Sequence, residues 1–167
     1  PEPPRYFARM KRLNRDGPPA PALASAPVVL HGESIPNMQR GGVTILDTRS
    51  VRDFTAGHIP GSLNVPLDRS FVVRAGSVLP DDAIVALLVV GGLALADRPV
   101  RALSLIGVDD VRGVFDESAL DWQKTNGGLA ATTRVSPDDV ARDSEARIVD
   151  VRGAAEVAEG HVPGALN

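Results

Sequence analysis

Cysteine is absent from all 167 residues. Within this chain that excludes disulfides, thiolate metal sites and every cysteine nucleophile. The absence also fits a reducing compartment, and a cytoplasmic setting is expected. Aromatic residues are scarce at 4%, with one Trp and one Tyr, so core volume has to come from Val, Leu, Ile and Ala. No apolar run approaches the roughly 18 residues that a membrane-spanning helix needs, and no basic-then-apolar leader is legible. The three histidines are scattered, so neither a metal nor another cofactor is expected. Net charge is −3, which draws the molecule as a whole neither to nucleic acid nor to an anionic membrane.

What is present is a repeat. Residues 45–64 read ILDTRSVRDFTAGHIPGSLN and residues 148–167 read IVDVRGAAEVAEGHVPGALN, without gaps and with nine of twenty positions identical. The offset of 103 residues is the size of a small domain, not of a solenoid unit. The expected organisation is one domain over residues 28–128 and the truncated start of a second over 133–167. Residues 1–27 are expected to be a linker or the tail of a preceding domain. The chain opens on Pro1, so a native start further upstream, or processing, is expected. A second copy that stops at Asn167 would leave Ile148 and Val149 on an open edge. Either a longer chain or another chain, as in a homo-oligomer, is expected to cover it.

Hydrophobic patterning suggests an α/β fold with a parallel sheet. Residues 43–47 (VTILD) are rich in β-branched residues and follow a Gly-Gly turn, as a buried strand does. Residues 84–90 (IVALLVV) are apolar on both faces, the signature of a central parallel strand. Short strands are expected over 63–67, 111–115 and 148–151. Helices are expected over 50–56 with Ser50 as N-cap, weakly over 69–75, over 98–106, and over 118–126 with Ser118 as N-cap. Ser136-Pro137-Asp138-Asp139 reads as a helix start. Near the beginning, Tyr6, Phe7, Met10 and Leu13 fall at spacings that place them on one face of a short helix, beside the basic residues Arg9, Lys11, Arg12 and Arg15.

The repeated segment carries defined chemical types. Asp47 and Asp150 fall at strand ends, with Arg49 and Arg152 two residues on. His58 and His161 each follow a glycine and precede a turn, Pro60-Gly61 in the first copy. Beside a nucleophile, Asp47 and Arg49 would be an acid–base pair. With none nearby they are expected to brace the strand end. His58 reads either as a general base or as a hydrogen-bonding group for its loop, the latter favoured.

This pattern resembles the rhodanese-like, or sulfurtransferase, domain. The helix, glycine, short strand and Trp-bearing helix of VRALSLIGVDDVRGVFDESALDW resemble that domain's end. The resemblance implies a parallel sheet flanked by helices. It also implies sulfur transfer through a cysteine persulfide, held in a loop after the central strand. At the corresponding place this chain has Val90, Gly91, Gly92 and Leu93, a loop with neither Cys, Ser nor Thr. A catalytically silent module is therefore expected, serving as a scaffold or as a binder of a sulfur-carrier protein. Residues 1–19 resemble the tail of a metallo-β-lactamase-fold domain at its junction with rhodanese repeats. The alternative is thus a fragment of such a hydrolase or persulfide dioxygenase fusion, with its chemistry in a preceding domain. A phosphatase-like relative is disfavoured by the same missing cysteine.

Overall fold

The computed structural model describes residues 6–17 and 27–167, with the side chains of Arg9 and Leu13 outside the description. The linker or tail expected over 1–27 therefore falls partly outside the described residues. Two compact units result, residues 1–132 and residues 133–167.

Unit 1 is built on five parallel strands in the order β1-β5-β4-β2-β3. They are β1 (Val29–Leu30), β2 (Thr44–Asp47), β3 (Leu63–Asn64), β4 (Val85–Leu88) and β5 (Val111–Phe115). Parallel neighbours need crossovers, and helices supply them. These are α2 (Ile35–Arg40), α3 (Val51–Ala56), α4 (Phe71–Val78) and α5 (Asp97–Ser104), with an N-terminal helix α1 (Tyr6–Asp16) before β1 and α6 (Ser118–Asn126) after β5. All four residues of β4 are fully buried, because helices cover both faces of the sheet. On one face Leu46, Leu87 and Val114 pack with Phe71, Leu79, Leu103 and Ile106, and Tyr6 of α1 leans on that cluster. On the other, Ile45, Ala86, Leu88 and Phe115 pack with Ile35, Ile59 and Ala119, and Trp122 joins them. Each fully buried Leu or Ile contributes about 1.5–3 kcal/mol.

Several expected boundaries shift for local reasons. The strand expected over 63–67 shortens to two residues, with Pro66, which has no N–H to donate, just beyond it. Ser118 is the first helical residue of α6 rather than its cap. The carboxylate of Asp116 accepts from the Ser118 N–H at 3.0 Å, taking the capping role two residues earlier. The α5 helix runs over 97–104 rather than 98–106, with Gly107 at φ 79° closing the turn beyond it.

Unit 2 contains α7 (Pro137–Arg142) and α8 (Ala154–Glu159). Ser136 and Asp139 form a reciprocal capping box at the start of α7. The strand expected over 148–151 reduces to a single parallel bridge between Val149 and Leu166. Among the described residues no helix is long and apolar enough to cross a membrane.

Candidate functional site

Asp47 ends β2 with its side chain completely buried, and Arg49 turns back onto it. The Arg49 backbone N–H donates to Asp47 Oδ1 at 3.0 Å, Nε lies 3.0 Å from both carboxylate oxygens, and Nη2 donates to Oδ2 at 2.6 Å. The same Nη2 donates to the Gly57 carbonyl at 2.8 Å, which ties the strand end to the end of α3. Asn64 completes the frame, its amide donating to the carbonyls of Asp47 and Arg49, both at 3.0 Å. Arg49 thus spends its donors on structure.

His58 is buried and is not part of an open site. Its ring stacks on Phe54 at 3.8 Å between centroids. Nδ1 meets the Phe54 carbonyl at 2.9 Å, and since a carbonyl only accepts, Nδ1 carries the proton. Its backbone exchanges two hydrogen bonds of 2.9 Å with Ala130. Pro60 receives the amide of Gln39 on its carbonyl, and Gly61 takes φ 77° in the turn.

The second copy repeats this frame bond for bond. Arg152 Nε lies 3.0 and 3.2 Å from the two oxygens of Asp150, and Nη2 donates to Oδ2 at 2.6 Å and to the Gly160 carbonyl at 2.7 Å. His161 Nδ1 meets the Val157 carbonyl at 3.0 Å, and the Asn167 amide reaches the carbonyls of Asp150 and Arg152. Asp, Arg, His and Asn, four of the nine identities, are therefore the residues whose side chains make the frame. The two copies differ in burial. Side-chain exposures are 11% and 0% for Arg49 and Asp47, against 44% and 12% for Arg152 and Asp150. The Arg152 guanidinium bonded to Asp150, helped by the Arg152 N–H, pulls that carboxyl down to about 2.

Past the carboxyl ends of the strands, an open pocket of about 470 Å³ is lined by Arg49, Asp53, Ala56, Gly57, Val90 and Glu117. Arg49 follows β2, Val90 follows β4 and Glu117 follows β5, the position where parallel sheets place their sites. Of the four expected loop residues, Val90 alone lines the pocket. Gly91 and Gly92 both take positive φ, 85° and 99°. A Cβ on Gly91 would lie 3.1 Å from Leu95 Cδ1, so a side chain there meets both strain and crowding. Leu93 begins a 3₁₀ turn whose Leu95 and Ala96 amides bond back to Gly92 and Leu93. Two carboxylates, Asp53 and Glu117, face one arginine that is already paired. The rim is electronegative, the reverse of what holds an anion.

Asp53 and Glu117 were not singled out by sequence reasoning. Nothing short-range marks them, because they reach the rim from two separate strand ends, Asp53 after β2 and Glu117 after β5. Asn64 did carry a signal, being one of the nine identities. Among the described residues no group of three or more His, Asp or Glu side chains is placed to hold a metal ion.

Comparison with known proteins places this geometry. The model of the rhodanese-like domain family matches residues 32–124. The chain is 29% identical over 95 residues to the HTH-type transcriptional regulator Rv0324 of Mycobacterium tuberculosis, covering 57% of this chain and 41% of that protein. It is 30% identical to a metallo-beta-lactamase of Staphylococcus aureus of known structure, at TM-score 0.54, covering 70% of this chain and 30% of that one. The Alr3790 protein of Anabaena shares the fold at 21% identity and TM-score 0.52, covering 63% of this chain and 94% of that structure. The chain thus spans less than half the length of the first two.

Proposed function

The chain belongs to the family of rhodanese-like domains, and on that premise we propose that it is a non-catalytic member, a scaffold or binding module in sulfur metabolism. The carrying observation is the loop after β4, which reads Val90-Gly91-Gly92-Leu93 in a chain without cysteine. Sulfane transfer through a persulfide requires a thiolate that attacks the donor sulfur and then releases it to an acceptor. Valine and glycine have no atom that can do either.

Three further features support the reading. Leu95 crowds the position where a side chain on Gly91 would lie. Asp53 and Glu117 on the pocket rim oppose a thiolate or an oxyanion donor. Arg49 and His58, which chemistry near an anion would employ, are committed to Asp47, Gly57 and Phe54. The partner we favour is a sulfur-carrier protein, or a metallo-β-lactamase-fold domain in the same polypeptide. The test is thiocyanate formation from thiosulfate and cyanide. A rate equal to the protein-free blank is expected, and turnover well above it would refute the proposal.

A second reading rests on the 30% identity to the staphylococcal metallo-beta-lactamase. Here the segment is a structural part of a metal-dependent hydrolase or dioxygenase fusion whose chemistry lies in another domain. Reading the gene upstream tests it. An HxHxDH metal-binding segment in the same frame supports the fusion, and an upstream sequence without one ends the idea.

A further inference from the structure

The sequence holds a single Asn-Gly pair, Asn126-Gly127. It closes α6, and both residues are exposed. A glycine after asparagine leaves its own nitrogen unshielded and the backbone free to turn toward the side-chain amide. Three hydrogen bonds hold the pair in the last turn of the helix. Asn126 Nδ2 donates to the Trp122 carbonyl at 2.8 Å, which turns the side-chain amide back along the helix. The Gly127 N–H donates to the Gln123 carbonyl at 2.8 Å, so the nitrogen that would attack that amide is occupied. Gln123, itself buried, donates from Nε2 to the Gly128 carbonyl at 3.1 Å and so fastens the turn to the chain beyond it.

Exposed helix ends open at low free energy, well below that of global unfolding. We propose that Asn126 is a site of spontaneous deamidation, gated by the opening of this last turn. In the opened turn the Gly127 nitrogen gives its proton to solvent base and attacks Asn126 Cγ. The N–Cγ bond forms, the Cγ–Nδ2 bond breaks, and Nδ2 leaves as ammonia with a proton from solvent. Water then opens the cyclic imide. Cleavage of the new N–Cγ bond gives aspartate, and cleavage of the original peptide C–N bond gives isoaspartate, with the chain rerouted through the side chain. No oxidation or reduction is involved, and water is the only co-reactant.

The modification has a defined structural consequence. Either product sets a carboxylate at the negative end of α6. Aspartate has no N–H to give the Trp122 carbonyl, and isoaspartate adds a backbone atom that pulls the Gly127 N–H off Gln123. The stretch just beyond is the one that fastens to α3 and its following loop. Ala130 and His58 exchange two backbone hydrogen bonds of 2.9 Å, and the Thr132 N–H donates to the Thr55 carbonyl at 2.9 Å. Deamidation at Asn126 therefore loosens the attachment of residues 128–132.

The experiment ages the full chain in mildly alkaline buffer, native and in urea, and reads residue 126 by peptide mapping with isoaspartate labelling. Product is expected in both samples, forming about tenfold more slowly in the native chain, and none is expected at that position in Asn126→Gln. Amide exchange read by NMR in Asn126→Asp is expected to rise about fivefold at Ala130 and Thr132, with Leu87 unchanged. A native chain that stays unmodified while the urea sample converts overturns the proposed site. Equal rates in the two samples overturn the gate. Wild-type exchange at Ala130 and Thr132 in Asn126→Asp overturns the structural consequence.

Discussion

Replacing Arg49 by Met removes the partner of a carboxylate that has no exposed side-chain surface. Asp47 would keep the Arg49 backbone N–H as a donor and lose the guanidinium contacts. Removing one member of a buried ion pair costs about 3–5 kcal/mol, because the remaining charge stays desolvated. Against a total stability of roughly 5–15 kcal/mol, that is a large fraction. With a urea dependence of about 1–3 kcal/mol per molar, the unfolding midpoint should fall by about 2 M. Trp122, the single tryptophan, packs against the cluster around Ile45 and reports the transition of unit 1 by fluorescence. Arg152→Met is the internal control. It breaks the same hydrogen bonds in the exposed copy and should leave the Trp122 transition where it is. Adding Asp47→Asn to Arg49→Met removes the stranded charge and should recover part of the loss. A midpoint for Arg49→Met within error of wild type would refute the assignment of a buried, mutually dependent pair.

Other perturbations separate the remaining parts of the account. Leu87→Ala, in a fully buried strand, should cost about 2–5 kcal/mol in the same urea assay; a loss under about 1 kcal/mol would contradict tight packing there. Gly32→Ala sets a Cβ against the Trp122 Cβ; overpacking of about 1–3 kcal/mol and a shifted Trp122 emission are expected, and a silent substitution would contradict that contact. Asp150, held at about 2 instead of the usual 3.8, gives unit 2 an ion pair whose stabilisation is complete above about pH 4. It is lost as pH falls through about 2. A carboxyl NMR titration should show that midpoint, moving up in Arg152→Met; a wild-type midpoint near 3.8 would contradict the pairing. Finally, a thiol installed as Val90→Cys should titrate at or above about 8.5, since Asp53 and Glu117 oppose its anion. Alkylation rate against pH measures it, and a midpoint below about 7 would contradict the electronegative rim.

The α/β architecture was legible because β2 is a β-branched run after a Gly-Gly turn, β4 is continuously apolar up to Gly91, and α6 is bracketed by Ser118 and Gly127. The helix α2 was not, since a six-residue segment with Pro36 near its start offers only Ile35 and Met38 as apolar markers. Strand length was overestimated where it depends on a neighbour. Residues 148–151 have strand-like composition, but extended pairing needs a partner, and only Leu166 supplies one. The pairing of Asp47, Arg49 and His58 was visible because its bonds are short-range and recur in both copies, whereas Asn64, one of the nine identities, reaches back across the loop to Asp47 and Arg49. The pocket was not, because Asp53, Val90 and Glu117 lie far apart in sequence and converge only at the sheet's carboxyl end.

Without a cysteine thiol, this chain is expected to carry no transferable sulfane sulfur on any side chain. The direct measurement is intact mass after incubation with a persulfide donor and removal of small molecules. The account predicts the unmodified mass throughout, and an adduct of one sulfur atom that a cyanide chase removes as thiocyanate would contradict it.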